Sequence, residues 1–408
     1  MAEPAKLELL TRSPDNTGFL IHEIHSSQAH LQYRPQRLSE DSWEITPQPA
    51  SPDGTRAYIL KNLPRDRYLL LNAKEHFLWQ HFDGSHSLEE IARLYYSAFG
   101  AFDCSTIQQL LAKMHYAGLL LEPEQPALRQ GIAGREAPWS VRMRGALVQG
   151  WRRISFTLPN ADRICAAVYR RGGFLFFHPV AFFLSVFLAF VAIIAAVPLA
   201  PRAAELTLLL SSAPLLSTSL MLGALLSASM THVFVHALAC KAYNRRVREI
   251  GFFLLQGVLP TFYADVTDIF MSTRRARVVV DLAGPMVEVV LGSFAFIGAW
   301  ASGSGIGQAL CFGIGVLLWE GALINLYPFN FLELDGYHIV ADLLGMPTMR
   351  QQALTLAPNL PRRLLNLTSI QRAEWIQIGY LVVCFVSVLT YLILHLDAIA
   401  AILPAWQR

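Results

Sequence analysis

Two long stretches of this chain carry no Asp, Glu, Lys or Arg: one from Phe174 to Ala200, the other from Leu206 to Cys240. A helix needs about 20 consecutive apolar residues to cross the hydrocarbon layer of a bilayer, where its backbone polar groups must be satisfied internally. Both stretches are long enough, and three more candidates follow near Val278–Trp300, Ile306–Leu326 and Trp375–Leu396. The sequence therefore predicts a multi-pass α-helical membrane protein with about five spans, all from Phe174 onward. Composition agrees: of 408 residues, 53% are hydrophobic and 15% charged, against roughly 25% charged in soluble domains.

The basic residues supply an orientation. Arg142, Arg144, Arg152, Arg153, Arg163, Arg170 and Arg171 precede the first apolar run, and "KAYNRRVREIG" follows the second. "TMRQQ", "PRRLLN" and "QRAEW" follow the fourth, whereas the loops "PRAAE" and "ASGSGIG" hold one Arg between them. Lys and Arg accumulate on the cytoplasmic side, so the N terminus is expected inside and the tail "LPAWQR" outside. The opening "MAEPAKLELLTRSPDNTG" lacks the charged-then-apolar pattern of a signal peptide, as that orientation requires. Cys104, Cys165, Cys240, Cys311 and Cys384 form no C-x-x-C pair, which suggests neither a disulfide framework nor a thiolate metal site.

Three regions are expected: a soluble module over residues 1–130, a basic amphipathic linker over 131–172 and a membrane domain over 173–408. In the first, "RAYILKNLPRDRYLLLN" alternates around "LPRDR" like two strands and a turn. "AKEHFLWQHFDG" follows, then "SLEEIARLYYSAF" with Ser87 and Glu90 at capping-box spacing, then "STIQQLLAKMHYAGLL" with Gly118 as its stop. Strands and short helices in this order predict a small α+β, winged-helix-like cytosolic domain. Its middle helix has two Glu against one Arg, so no nucleic acid partner is expected. From "YLLLNAKEHFLWQHFDGSHSLEEIA" through "LLAKMHYAGLL", roughly residues 57–121, the module resembles the PqqD-like family of peptide-recognition domains. The resemblance implies a leader peptide that adds a strand to the sheet edge, with Arg56–Leu71 as the candidate edge and "TIQQLLAKM" as the flanking helix. The plainer alternative is a domain that only stabilises or dimerises the protein.

Polar groups inside a bilayer are costly and call for a reason. "SASMTHVFVHALAC" puts His232 and His236 four residues apart, on one face of a helix. Asp281 and Glu288 lie in "VVVDLAGPMVEVVLG", and Glu320 and Asn325 in the next run; "NLYPFNFLELDGYH" then brings Glu333, Asp335 and His338. Two histidines and a later carboxylate supply three ligands and leave a fourth position open, as in a catalytic zinc site. Taken alone, the pair reads equally as two satisfied core histidines. The joint pattern resembles the site-2 protease family of intramembrane zinc metalloproteases, in particular its bacterial peptide zinc metalloprotease branch. The matching segments are "HVFVHALACKAYNRRVREIGFFLLQGVLPTFYADVTDIF", "STRRARVVVDLAGPMVEVVLG" and "INLYPFNFLELDGYHIVADLL", within Thr231–Leu344.

That resemblance implies a site-2-protease-like core in a bacterial cytoplasmic (inner) membrane, with Zn2+ held by His232, His236 and Asp335. It further implies a substrate groove lined by Asn325, Pro328 and Gly336, and a third helix broken at Gly284-Pro285. One departure matters: the family's H-E-x-x-H glutamate moves a proton during hydrolysis, and Val233 stands in its place. Another carboxylate (Glu288, Glu320 or Glu333) could act instead, the metal could serve other chemistry, or the protein could hold a peptide without cutting it. The expectation adopted is a pseudoprotease that captures a ribosomally made peptide for maturation or export. The alternatives are an active protease with a relocated acid/base and a non-metal structural subunit of a peptide exporter. Expected partners are the peptide or its leader, the lipid bilayer, and ABC exporter or membrane-fusion subunits.

Two rivals fail. The three histidine boxes of membrane di-iron enzymes cannot be built from His178, His232, His236, His338 and His395. No internal repeat of the kind found in secondary transporters is visible. The apolar stretch Ile250–Phe270 is interrupted by Gly257, Pro260 and two aspartates, so it is expected to lie at the interface or re-enter rather than span. Asp265 and Asp268 within it read as capping or metal-contacting residues.

Overall fold

The computed structural model describes residues 7–12, 19–24, 32–50, 52, 54, 56–100, 104–121, 155–255, 259–359 and 371–394. They belong to two compact units, one within residues 1–50 and 55–138, the other within 51–54 and 139–408. Arg142, Arg144, Arg152, Arg153, the segment "PRRLLN" and the tail "LPAWQR" lie outside the described residues.

The first unit opens with an antiparallel hairpin, β1 (Leu7–Arg12) and β2 (Phe19–Ile24). A three-stranded antiparallel sheet follows: β3 (Trp43–Pro47), β4 (Ala57–Asn62) and β5 (Arg67–Asn72), in the order β3-β4-β5. Asn72 and Glu75 form a reciprocal capping box at the start of α1 (Ala73–Gln80), as Ser87 and Glu90 do for α2 (Leu88–Phe99). Helix α3 (Cys104–Ala117) stops at Gly118, whose φ of +67° lies in the left-handed region that glycine favours. The helices bury Leu78, Trp79, Ile91, Tyr95, Leu110 and Met114 against Leu60 and Leu71 of the sheet. This corrects the expected edge over residues 56–71: β4 is paired on both sides, and the edges of this sheet among the described residues are β5 and the unforeseen β3.

The second unit begins with β6 (Ser155–Thr157) and α4 (Ala161–Arg170). Next come α5 (Pro179–Ala196), the short α6 (Ala203–Ser211) and α7 (Pro214–Ala242). After β7 (Glu249–Leu255) and β8 (Leu259–Asp265) the chain forms α8 (Arg274–Ala301), α9 (Ile306–Leu326), α10 (Asp335–Leu344), α11 (Met349–Leu356) and α12 (Arg372–Leu394). Helices α5, α7, α8, α9 and α12 are long and apolar enough to cross a membrane, which makes this a multi-pass helical membrane protein.

Three local expectations change. The second apolar run is two helices, because Pro214 restarts the chain as the first residue of α7 after α6 has ended. Helix α8 is not broken at Gly284-Pro285 but runs through Pro285 without interruption. Such a proline is tolerated in a spanning helix when its surroundings satisfy the freed carbonyl. Most of the stretch 250–270 belongs to the β7–β8 hairpin, which starts at Glu249, and β6 joins it in a sheet of order β6-β7-β8. The aromatic residues explain it: Phe252 faces Phe262 directly across the ladder, with ring centroids 5.6 Å apart. Such cross-strand pairs stabilise a sheet.

Helices α8 and α9 approach through glycines. A Cβ on Gly292 would lie 2.4 Å from Trp319 Cδ1, and one on Gly315 2.8 Å from Phe296 Cδ1. Small residues at such crossings let backbones close in where lipid offers no hydrophobic drive. Trp319 Nε1 donates to the Val289 carbonyl at 3.0 Å across the same contact. Gly292→Ala is therefore expected to cost ~1–3 kcal/mol through overpacking. A thermal unfolding scan in detergent should show a lowered Tm for it and no change for Gly298→Ala, whose added Cβ meets nothing nearer than Cys311 Sγ at 3.8 Å.

Candidate metal centre

Helix α7 presents His232, Val233 and His236 toward α8, whose facing side carries Asp281, Gly284 and Glu288. These three are spaced i, i+3, i+7, so they form one stripe. Gly284 sets the distance of approach. A Cβ there would lie 2.3 Å from His236 Nε2 and 2.5 Å from His232 Nε2, so both imidazoles rest on bare backbone. Asp335, the first residue of α10, comes from the far side of the sequence, with its Oδ2 3.2 Å from His232 Nε2 and its Oδ1 3.5 Å from His236 Nε2. The two Nε2 atoms are 3.0 Å apart.

The outer nitrogens decide what the inner ones can be. His236 Nδ1 sits 2.6 Å from the Val280 carbonyl, which only accepts, so Nδ1 carries the proton there. His232 Nδ1 is 2.9 Å from Glu288 Oε1 and donates to that carboxylate. In neutral rings both Nε2 atoms are then lone-pair acceptors, turned toward each other and toward a carboxylate. Three acceptors in mutual contact repel unless a cation lies among them. A tetrahedral ion with bonds of about 2.0–2.2 Å holds its ligand atoms roughly 3.3–3.6 Å apart, close to the 3.0, 3.2 and 3.5 Å found here. Among the described residues, this is the one cluster of His, Cys, Asp and Glu able to hold a metal ion.

Several contacts fix the turn that delivers Asp335. A Cβ on Gly336 would lie 2.0 Å from the Leu326 carbonyl oxygen, so the turn packs directly on the end of α9. Arg350 donates to the Phe331 carbonyl at 2.7 Å and to Glu333 Oε1 at 2.9 Å, while its backbone N–H donates to Tyr337 Oη at 2.9 Å. Arg277 of α8 donates to Asp342 of α10 at 2.8 Å, with side chains 3% and 10% exposed.

A cavity of 820 Å³ opens beside the triad. Its wall includes His232, Val233, His236, Asp281, Asp335 and His338, together with Phe262 through Val266. Side chains alternate faces along a strand, so a consecutive run along the wall means that β8 turns its edge to the cavity. Asn325 lies behind the triad, its Nδ2 3.4 Å from Glu288 Oε2. Pro328 is half-buried in the turn after α9 and Gly336 is buried; neither they nor Asn325 are among the lining residues.

The carboxylates named as substitutes for the missing glutamate are placed as follows. Glu288 is bonded to the outer side of His232, Glu333 lines the cavity but pairs with Arg350, and Glu320 lines a separate apolar cavity of 420 Å³ between α6, α7 and α9. Asp265 accepts from Thr267 and Arg248, and Asp268 accepts from the Arg246 N–H, so both serve the local fold. Sequence reasoning gave Gly284 the wrong task and Asp281 none. The signal was present in the seven-residue spacing of Asp281 and Glu288 about a glycine.

No protein-family model, curated protein or solved structure matches this chain. Fold and site together define a multi-pass helical membrane protein with a His-His-carboxylate cluster between two of its spans.

Removing Arg277 would leave Asp342 charged, buried and unpaired, at a cost of ~3–5 kcal/mol. Arg277→Met should therefore destabilise the protein strongly in a detergent unfolding titration, whereas Arg277→Met with Asp342→Leu should recover most of the loss.

Proposed function

We propose that this chain is a zinc-binding, site-2-protease-like membrane protein that captures a ribosomally made peptide for maturation or export. The convergence of three acceptors on one point, with both outer imidazole nitrogens already committed, carries this reading. Two nitrogens and a carboxylate suit zinc better than the all-oxygen environments that calcium and magnesium select. The bound ion would supply Lewis acidity toward a carbonyl in the cavity. Glu288 orients His232 from behind, and Asn325 in turn contacts Glu288.

Peptide capture is supported by the cavity and by the strand edge in its wall. An extended segment laid along β8 gains backbone hydrogen bonds whatever its side chains are. In the first unit, the edge strand β5, unpaired on its outer side among the described residues, offers a second surface of that kind, suited to a leader segment. On this reading the N terminus lies in the cytoplasm of a bacterial inner membrane, and the captured peptide passes to an exporter. Val233 can neither accept nor donate a proton, so α7 supplies no group that could cut the peptide it holds. Proteolysis is the second reading, favoured by Asp281 in the cavity wall.

Metal analysis of the purified full-length protein tests the proposal. The wild type is expected to bring down about one zinc per chain, and His232→Ala and Asp335→Ala to lose it. Gly284→Ala, which pushes both rings aside, should weaken zinc binding by at least about tenfold. A wild type without zinc that also fails to take it up on titration would overturn the metal reading.

A further inference from the structure

Six carboxylates line the cavity beside the triad, and five are committed. Asp335 faces the imidazoles, Asp342 binds Arg277, Glu333 binds Arg350, Asp265 binds Arg248 and Thr267, and Glu249 accepts from Tyr263 Oη at 3.1 Å. Asp281 is the sixth, and it has no hydrogen-bond or ion-pair partner among the described residues. Its place is specific. It stands three residues before Gly284, the residue on which both ligand nitrogens rest, and that separation is roughly 4.5 Å of helical rise. It follows directly on Val280, whose carbonyl fixes His236. Val233, where a proton-carrying side chain is missing, lines the same cavity from the opposing helix.

We propose that Asp281 is the proton carrier of this site, supplied from α8 in place of the side chain missing on α7, and that the site therefore hydrolyses peptide bonds. This rests on the metal reading above and goes beyond capture. In the step assigned to it, Asp281 takes one proton from a cavity water as the water oxygen bonds to the peptide carbonyl carbon. It then returns that proton to the peptide nitrogen as the C–N bond breaks. The products are a carboxylic acid and an amine, and Asp281 ends as the carboxylate it began as. An unpaired carboxylate suits such a role, because a salt-bridged one would have to leave its partner to accept the proton.

The test uses the full-length protein in detergent, loaded with one equivalent of zinc. One probe is a mixed library of quenched-fluorescent decapeptides; the other is acetohydroxamic acid, which binds zinc as its anion. The wild type is expected to cleave, and Asp281→Asn to keep its zinc while cleaving ~10²–10⁴-fold more slowly. Calorimetry in buffers of different ionisation enthalpy gives a readout independent of cleavage. When acetohydroxamic acid binds the wild type its proton stays on Asp281, whereas Asp281→Asn releases about one proton more to the buffer. Adding Val233→Glu to Asp281→Asn should restore both cleavage and proton retention, showing that the single variant is folded. Zinc-loaded wild type that does not cleave, or wild type and Asp281→Asn that match in rate or in proton count, would overturn this inference and leave the capture reading standing. A wild type that binds no zinc would instead overturn the metal reading itself.

Discussion

Close approach at a single glycine governs the site. Helices α7 and α8 meet where Gly284 has no side chain, and the two imidazoles fill the space that a Cβ would take. Everything else is arranged around that contact. Val280 and Glu288, four residues before and after it, hold the far nitrogens of His236 and His232. Asp335 then closes the group from α10, which Arg277 and the end of α9 hold in place. The donor set is thus fixed by backbone proximity, by second partners on each ring and by a buried ion pair. Three independent constraints on three side chains leave little rotational freedom, as a metal site requires.

Much of the architecture was legible because its signals are local. Runs without charge identify spanning helices regardless of tertiary context, and four of the five appear within about five residues of where the sequence put them, the second beginning only at Pro214. The capping pair at Ser87 and Glu90 announces a helix start for an equally local reason. The sheet in the second unit was missed because β6 lies far from its partners in sequence, and because the apolar β7–β8 hairpin resembles interfacial segments in composition. Pro285 was misread because a local rule says that proline breaks helices, whereas α8 passes through it with neighbours packed on both sides.

At the site, spacing could place His232 and His236 on one face, but no local rule brings Asp335 to them across some hundred residues. Geometry joins these groups, and it also separates the carboxylates that sequence alone treats as equivalent. Glu288, Glu333 and Asp281 all lie near the triad in the chain's polar inventory. Their partners differ: His232 for the first, Arg350 for the second and none for the third among the described residues.

Pro285 has one more effect. Lacking an N–H, it cannot donate to the carbonyl of Asp281 four residues earlier, so that oxygen has no helical i+4 partner. An unsatisfied carbonyl at membrane depth costs several kcal/mol unless something donates to it. Asp281 is itself a lining residue of the adjoining cavity. A single imino acid thereby takes one helical donor away at the residue where the span borders its polar cavity.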